Sequence, residues 1–382
     1  MGDLELSLPS AAEPLENPKR EGRRFHELDS MRGLAAIIVV FGHFLDMFYM
    51  HLDKSAGAWR PLLYIVLSGH ESVMYFFVLS GFVLSLPYIR GKSQPYPLFV
   101  WRRTLRIYGP YLGSLALALI GCALWGGRTI TTGWRPETWS SITAQTVMQH
   151  LLFLGNYDYG RYNVVIWSLV YEMRISIIFP LLFVITSKVK LYSSLLIMAG
   201  LTLTGVRGDG HSYLITLEYM AVFMVGILLA IHLGRLSDFY NRRTFAGQVA
   251  IIIISALFYF LGHRLILIGP LWHLGDMPIV LGAAGFIIVG LNFSAAKRVL
   301  LSLIPVFLGR ISYSLYLIHG IVLFAMASIL RGKVSHCIFF FLFVPTAILL
   351  SWAFYAAVEG PFMVMSRNVG RRNSLIFRRS SG

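Results

Sequence analysis

Apolar residues along this chain come in long runs separated by short polar stretches, from about residue 34 to residue 358. A run of ~20 mostly apolar residues is what a helix needs to cross a ~30 Å hydrocarbon core. In lipid a helix also pairs its backbone N–H and C=O groups within one segment. The pattern predicts ten spanning helices, over residues 34–50, 63–86, 108–125, 164–186, 192–206, 212–232, 247–268, 277–291, 307–329 and 337–358. The fold class expected is therefore all-α, a polytopic membrane protein with about ten transmembrane helices in one bundle.

An even number of spans puts both termini on one side. Residues 1–24 are rich in Glu, Pro, Lys and Arg without an apolar centre, so they read as a disordered cytoplasmic tail and not as a cleavable signal peptide. Residues 25–365 form the membrane domain, and residues 366–382 a basic cytoplasmic tail. With the N-terminus inside, 23 of the 33 Lys and Arg residues fall on the cytoplasmic side and nine on the other, while Arg174 stays within the fourth span. That asymmetry is the positive-inside pattern, and it supports cytoplasmic termini.

Composition agrees with the hydropathy pattern. The chain is 56% hydrophobic and 13% charged, with a mean hydropathy of +0.67, too apolar for a water-soluble domain of this length. Its formal net charge of +15 is spread over every cytoplasmic loop instead of forming one stripe with interleaved aromatics, so membrane lipid and not nucleic acid is the expected partner. Cys122 and Cys337 both lie in apolar runs, where packing is the expected role; neither a disulfide framework nor a cysteine metal site is expected. No phosphate-binding glycine loop, zinc-protease motif or nucleophile elbow occurs, and no metal site is expected.

Ionisable residues inside apolar runs are costly, so they are the candidates for chemistry. Arg32 stands at the lip of the first run, and His43 follows eleven positions later, roughly 16 Å further along a helix. Glu172 and His319 fall at similar depths on the fourth and ninth spans. A lone buried histidine is also a common interhelical hydrogen-bond partner, and a buried carboxylate a common half of a structural ion pair. Arg174, two residues after Glu172, faces another way on a helix, so a partner for Glu172 is expected on a different span.

Ordered motifs carry a resemblance. Leu28-Asp29-Ser30-Met31-Arg32-Gly33 with His43, Phe76-Phe77-Val78-Leu79-Ser80-Gly81-Phe82, Arg102-Arg103 with Arg106 and Pro110, Trp167-Ser168-Leu169 with Glu172, Ile311 to His319, and Glu359-Gly360-Pro361-Phe362 follow one another as in a known family. From about residue 25 to 365 the chain resembles the acyltransferase 3 family of integral membrane O-acyltransferases.

The resemblance implies an enzyme that moves an acyl group, usually acetyl from acetyl-CoA, to a hydroxyl of a sugar, polysaccharide or other small-molecule acceptor. It makes Arg32 and His43 the essential pair, with His43 a general base or transient acyl carrier, and Glu172 a candidate to orient the imidazole. Acyl-CoA is then a co-substrate, and no bound cofactor is expected. Arg102, Arg103 and Arg106 are the donor-phosphate candidates, suited by their planar guanidinium forks. Trp167, Ser168, Arg174, Tyr313, Tyr316 and His319 are candidates for acceptor contact or structural support. The expected location is a bacterial inner membrane. Outer aromatics Trp134, Trp139, Tyr157, Tyr159 and Tyr162 suit an interfacial belt or a sugar-stacking platform. The competing class is a proton-coupled transporter or flippase using His43 and Glu172 as a relay, against which stands the lack of a clear inverted repeat.

Overall fold

The computed structural model describes residues 25–48, 68–127, 138–207, 212–265 and 276–379. The N-terminal tail, Trp134 and the basic residues Lys54, Arg60, Arg128 and Arg135 lie outside these segments. The helices are α1 (His26–Phe48), α2 (Gly69–Ile89), α3 (Tyr96–Trp125), α4 (Ala144–Leu152), α5 (Ile166–Lys188), α6 (Leu191–Val206), α7 (Ser212–Ile231), α8 (Leu233–Asn241), α9 (Phe245–Leu265), α10 (Asp276–Asn292), α11 (Ser294–Leu300), α12 (Leu303–Leu330), α13 (His336–Phe354) and α14 (Gly360–Arg379). Among the described residues all repetitive structure is helical.

A helix stands at each of the ten apolar runs. Eight are long and apolar enough to cross a membrane; α10 reaches that standard only together with α11, from which it is bent by 89°, and α6 has 16 residues. Two helices start well before their apolar runs. α1 takes in Asp29 and Arg32, and α3 starts at Tyr96, with a proline in its first turn, instead of at residue 108. Proline is tolerated there because a first-turn N–H has no intrahelical acceptor. The cytoplasmic loop expected over residues 87–107 is thus mostly the first turns of a 30-residue helix, with Arg102, Arg103 and Arg106 on it.

Glycines set the closest helix crossings. A side chain at Gly33 would collide with the backbone of Leu308 and Gly309, and one at Gly309 would meet the Asp29 carbonyl oxygen at 2.5 Å. α1 and α12 therefore touch backbone to backbone, the arrangement small residues permit in membranes. Gly81 and Gly226 do the same for α2 and α7. His43 lies ten residues beyond Gly33, and His319 ten residues beyond Gly309. Both helices climb 1.5 Å per residue from that crossing, so the two imidazoles reach one level.

α13 passes into α14 through a wider π turn, Tyr355–Glu359. Such turns insert one residue and rotate the helix beyond them, and they are frequent at functional sites. Here the turn ends on Glu359, whose carboxylate reaches α12: its Oε2 accepts the Ser314 N–H at 3.1 Å and the Ser314 hydroxyl at 2.5 Å.

Residues 138–165 form a packed cap between α3 and α5. α4 is opened by Thr143, whose Oγ1 accepts the Thr146 N–H at 3.2 Å. Trp139 donates its indole N–H to the Tyr162 carbonyl at 2.9 Å, and the Tyr111 hydroxyl donates to the His150 carbonyl at 2.9 Å. Trp139 and Tyr162 are fully buried, 1% and 0% exposed. This corrects their expected place in a belt or platform, because the cap uses them as its own core. Cys122 is buried as expected, whereas Cys337 is exposed on α13 and so fills no core position.

His150 in this cap is 1% exposed, and burial pushes its imidazole below the ordinary value of 6.5, against the opposing pull of the Thr146 carbonyl. The folded cap holds the neutral ring, whereas the unfolded chain takes up a proton below about 6.5. Stability is therefore present above that pH and falls as pH drops through and below it. The thermal midpoint in detergent is expected to fall between pH 7 and 5, and His150→Gln to flatten that slope. An equal slope in wild type and variant would assign the acid sensitivity to another group.

Candidate active site

Helices α1, α2, α3, α5 and α12, with the π turn and the start of α14, enclose a cavity of about 430 Å³. It begins at the face of the bundle where α1 starts, between His26, Asp29, Arg310 and Arg367, and runs inward to Phe76, Ser168 and Tyr316. Among the described residues five arginines line it, Arg32, Arg103, Arg106, Arg310 and Arg367, against three carboxylates, Asp29, Glu172 and Glu359. The surplus of guanidinium groups in an enclosed space attracts a polyanion far more strongly than in bulk water.

The early start of α3 explains how two of these arginines arrive. Arg103 and Arg106 are three residues apart and share a face, so both turn inward. Arg103 is held as a fork, its Nη2 on Glu172 Oε1 at 2.5 Å and its Nε on the Ser176 hydroxyl at 3.0 Å. Ser80 donates to the same Glu172 oxygen at 3.1 Å. Arg102 departs from the expected donor set: it bonds Gln94 Oε1 at 2.7 Å and the carbonyls of Ser366 and Arg367 at 3.0 and 3.1 Å. Its place is to tie α3 to α14, since a residue adjacent on a helix points about 100° away. Arg32 lines the cavity while its Nη1 donates to Asp29 Oδ1 at 3.2 Å, an i, i+3 pair on α1.

His43 and His319 lie beyond the inner end of the cavity. His43 Nδ1 and His319 Nε2 are 3.0 Å apart, with the rings nearly parallel and 5.1 Å between centroids. His319 is fully buried, and its Nδ1 lies 2.8 Å from the Leu315 carbonyl oxygen. The imidazole at His43 is thus contacted by His319 and not by Glu172. Glu172, the expected orienting acid, has its carboxylate engaged by Arg103 and Ser80 at a separate point on the cavity wall.

Between cavity and histidines stands a small polar floor. The Ser168 and Tyr316 hydroxyls are 2.7 Å apart, the Tyr316 ring is 6.1 Å from that of His319, and Phe76 meets Tyr316 edge to face at 5.7 Å. Tyr313 also lines the cavity, its hydroxyl donating to the Ile107 carbonyl at 2.8 Å. Trp167 packs edge-on against Tyr171, away from the lining. Arg174 faces the cap, as its spacing from Glu172 predicts: it donates to the carbonyls of Leu154 at 2.8 Å and Gly155 at 2.6 Å, and to the Thr216 hydroxyl at 3.1 Å. These bonds satisfy carbonyls where the cap leaves α4.

Several cavity residues were not singled out from sequence. Glu359 stands only within the last of the ordered motifs, and Arg310 is one of 33 basic residues with no motif of its own to mark it. Asp29 and Ser80 sit inside the signatures that carried the resemblance, which was the available signal for both. A second polar contact joins other helices: His70 Nε2 and Asp276 Oδ1, 2.8 Å apart, link the first turns of α2 and α10. Among the described residues no three His, Cys, Asp or Glu side chains are grouped to hold a metal ion.

A family model described as an acyltransferase domain, acyltransferase 3, matches residues 25–356. The chain is also similar to Nodulation protein 10 of Rhizobium leguminosarum bv. viciae, 23% identical over 388 residues that cover 96% of this chain and 98% of the relative. No solved structure matches. The match takes in every helix from α1 to α13, and with them nearly the whole lining of the cavity and both facing histidines. The chain belongs to the acyltransferase 3 family and is an integral, multi-pass membrane O-acyltransferase.

Proposed function

We propose that the arginine-lined cavity receives an acyl-CoA, acetyl-CoA fitting best, from the cytoplasm, and that His43 serves the transfer of its acyl group to an acceptor hydroxyl. The observation that supports this most is the arrangement of the cavity itself, cationic at its mouth and closed within by Ser168, Tyr316 and Phe76, with His43 next beyond. Phosphates of the donor would meet Arg106, Arg103, Arg310 and Arg32. The pantetheine arm would then lie along α2 and α12, carrying the thioester to the floor. The rise from Arg32 to His43, roughly 16 Å along α1, is of the order such an arm bridges.

A hydroxyl is a weak nucleophile near neutral pH, and imidazole is a suitable base for its proton. In the reaction the acceptor O–H proton passes to His43, and its oxygen adds to the thioester carbonyl. The tetrahedral oxyanion then collapses, expelling the thiolate of coenzyme A, which takes the proton from His43. The Tyr316 and Ser168 hydroxyls are the donors nearest the carbonyl oxygen; the Ser168 O–H donates to the Val165 carbonyl at 3.1 Å, so the Tyr316 O–H is the one that turns from Ser168 to the oxyanion. The acceptor, a carbohydrate or other hydroxyl compound, approaches from the far side of the bilayer, which in a bacterial cell would be the outer side of the inner membrane. Glu172 serves here by holding Arg103 rather than as part of a proton relay.

The test is transfer in purified membranes supplied with radiolabelled acetyl-CoA and extracted surface glycans or small hydroxyl compounds. Covalent label on an acceptor, with release of free thiol in equal amount, is the expected result. Movement of a solute across the membrane with no thiol released would refute the proposal. Incubation with donor alone separates the two roles of His43, since label on the protein identifies an acyl-histidine path.

A further inference from the structure

The hydrogen bonds around His319 determine more than its own position. Its Nδ1 faces the Leu315 carbonyl oxygen at 2.8 Å, and a carbonyl only accepts, so Nδ1 carries hydrogen. In the neutral ring Nε2 then holds a lone pair. His43 Nδ1 faces that nitrogen at 3.0 Å and must be the donor. His43 is consequently the Nδ1–H tautomer, and its basic lone pair sits on Nε2.

We infer that His319 is the positioning residue for His43, fixing its tautomer so that Nε2 is the atom that takes the acceptor's proton. The inference rests on the reading of His43 as the reacting imidazole and specifies which nitrogen reacts and what holds it. When Nε2 takes the proton, the Nδ1–H bond to His319 becomes charge-assisted and shortens, as does the bond from His319 to Leu315 behind it. A chain of carbonyl, imidazole and imidazole thereby does what a carboxylate does in a serine-protease triad. It does so without placing a full negative charge at mid-membrane, where an ion is costly. The equal ten-residue offsets from the Gly33 and Gly309 crossing are what bring donor and acceptor to one height.

The direct measurement is 15N chemical shifts of histidine-labelled, lipid-embedded protein, with the His43 signals assigned by difference from His43→Gln. A protonated Nδ1 and an unprotonated Nε2 are expected; the opposite tautomer in the resting enzyme overturns the inference whatever any variant does. Kinetics supply a second readout. His319→Leu removes the acceptor and is expected to lower kcat by about 10³-fold, near the ~10⁴-fold loss when a protease imidazole takes the wrong tautomer. The donor KM should stay within about two-fold, because His319 does not line the cavity. His319→Gln restores an acceptor and should recover kcat to within about ten-fold of wild type, with the His43 tautomer preserved. Wild-type kcat in His319→Leu, or equal losses in folded Leu and Gln variants, would also overturn it. If instead His43→Gln retains full activity, it is the reading of His43 as the reacting group that fails, an outcome these measurements keep distinct.

Discussion

Replacing His43 by glutamine is expected to lower acyl transfer at saturating donor by about 10³-fold, within the 10²–10⁴-fold range that general acid–base groups contribute. Glutamine is the informative substitution. Its amide N–H can still donate to His319 Nε2, so the buried acceptor on α12 keeps a partner, but an amide cannot take a proton from a hydroxyl. Alanine would strand that acceptor, at a cost of about 1–3 kcal/mol, and mix a folding effect into the kinetic one. The donor KM should stay near wild type, since the cavity is lined by other residues and ends at Tyr316. The measurement is thiol release and acceptor labelling by purified protein, with the thermal midpoint as a control for folding. Transfer within a few-fold of wild type would remove His43 from the chemistry altogether.

The level of His43 was legible in the sequence, and so was that of His319, because depth comes from counting residues along a helix. Which groups meet at that level was not legible. Glu172 stood as near in depth as His319, but it belongs to α5, whose polar face turns to Arg103 on α3. That arginine was out of reach only on the assumption that its helix began at residue 108. Hydropathy marks where a chain enters lipid and says little about where a helix begins; His26 starts α1 among polar residues, and α3 runs from Tyr96 straight through the basic stretch Arg102 to Arg106. Arg102 and Arg103 are equivalent by composition, yet one tethers α14 and the other lines the cavity, a difference of one residue and about 100°. Glu359 was obscured for a related reason. It comes after the last apolar run, where a carboxylate reads as loop, and only the π turn sends it back to Ser314. In the cap, Trp139 and Tyr162 carry the composition of an interface belt, but their hydrogen bond is made across 23 positions that no local pattern relates.

The arginines on α3 separate experimentally on the same geometry. Arg106→Ala is expected to raise the KM for acyl-CoA by about 10- to 100-fold, the loss of one or two hydrogen bonds to a charged phosphate at about 1.5–3 kcal/mol. Arg106 lines the cavity, where the charges of Arg103, Arg32, Glu359 and Glu172 all act on it. Turnover at saturating donor should change less than about three-fold, because binding that is equal in ground and transition states moves KM and leaves kcat. Arg102→Ala is expected to leave the donor KM within about two-fold and to lower the thermal midpoint instead, since it gives up three bonds that hold Gln94 and the α14 backbone. Raising ionic strength should weaken donor binding in wild type and do so less steeply in Arg106→Ala, as screening acts on a charge the variant lacks. Equal KM shifts in the two variants would mean that the cluster acts on the donor only through its overall field. In that case the inward face of α3 would hold no phosphate directly.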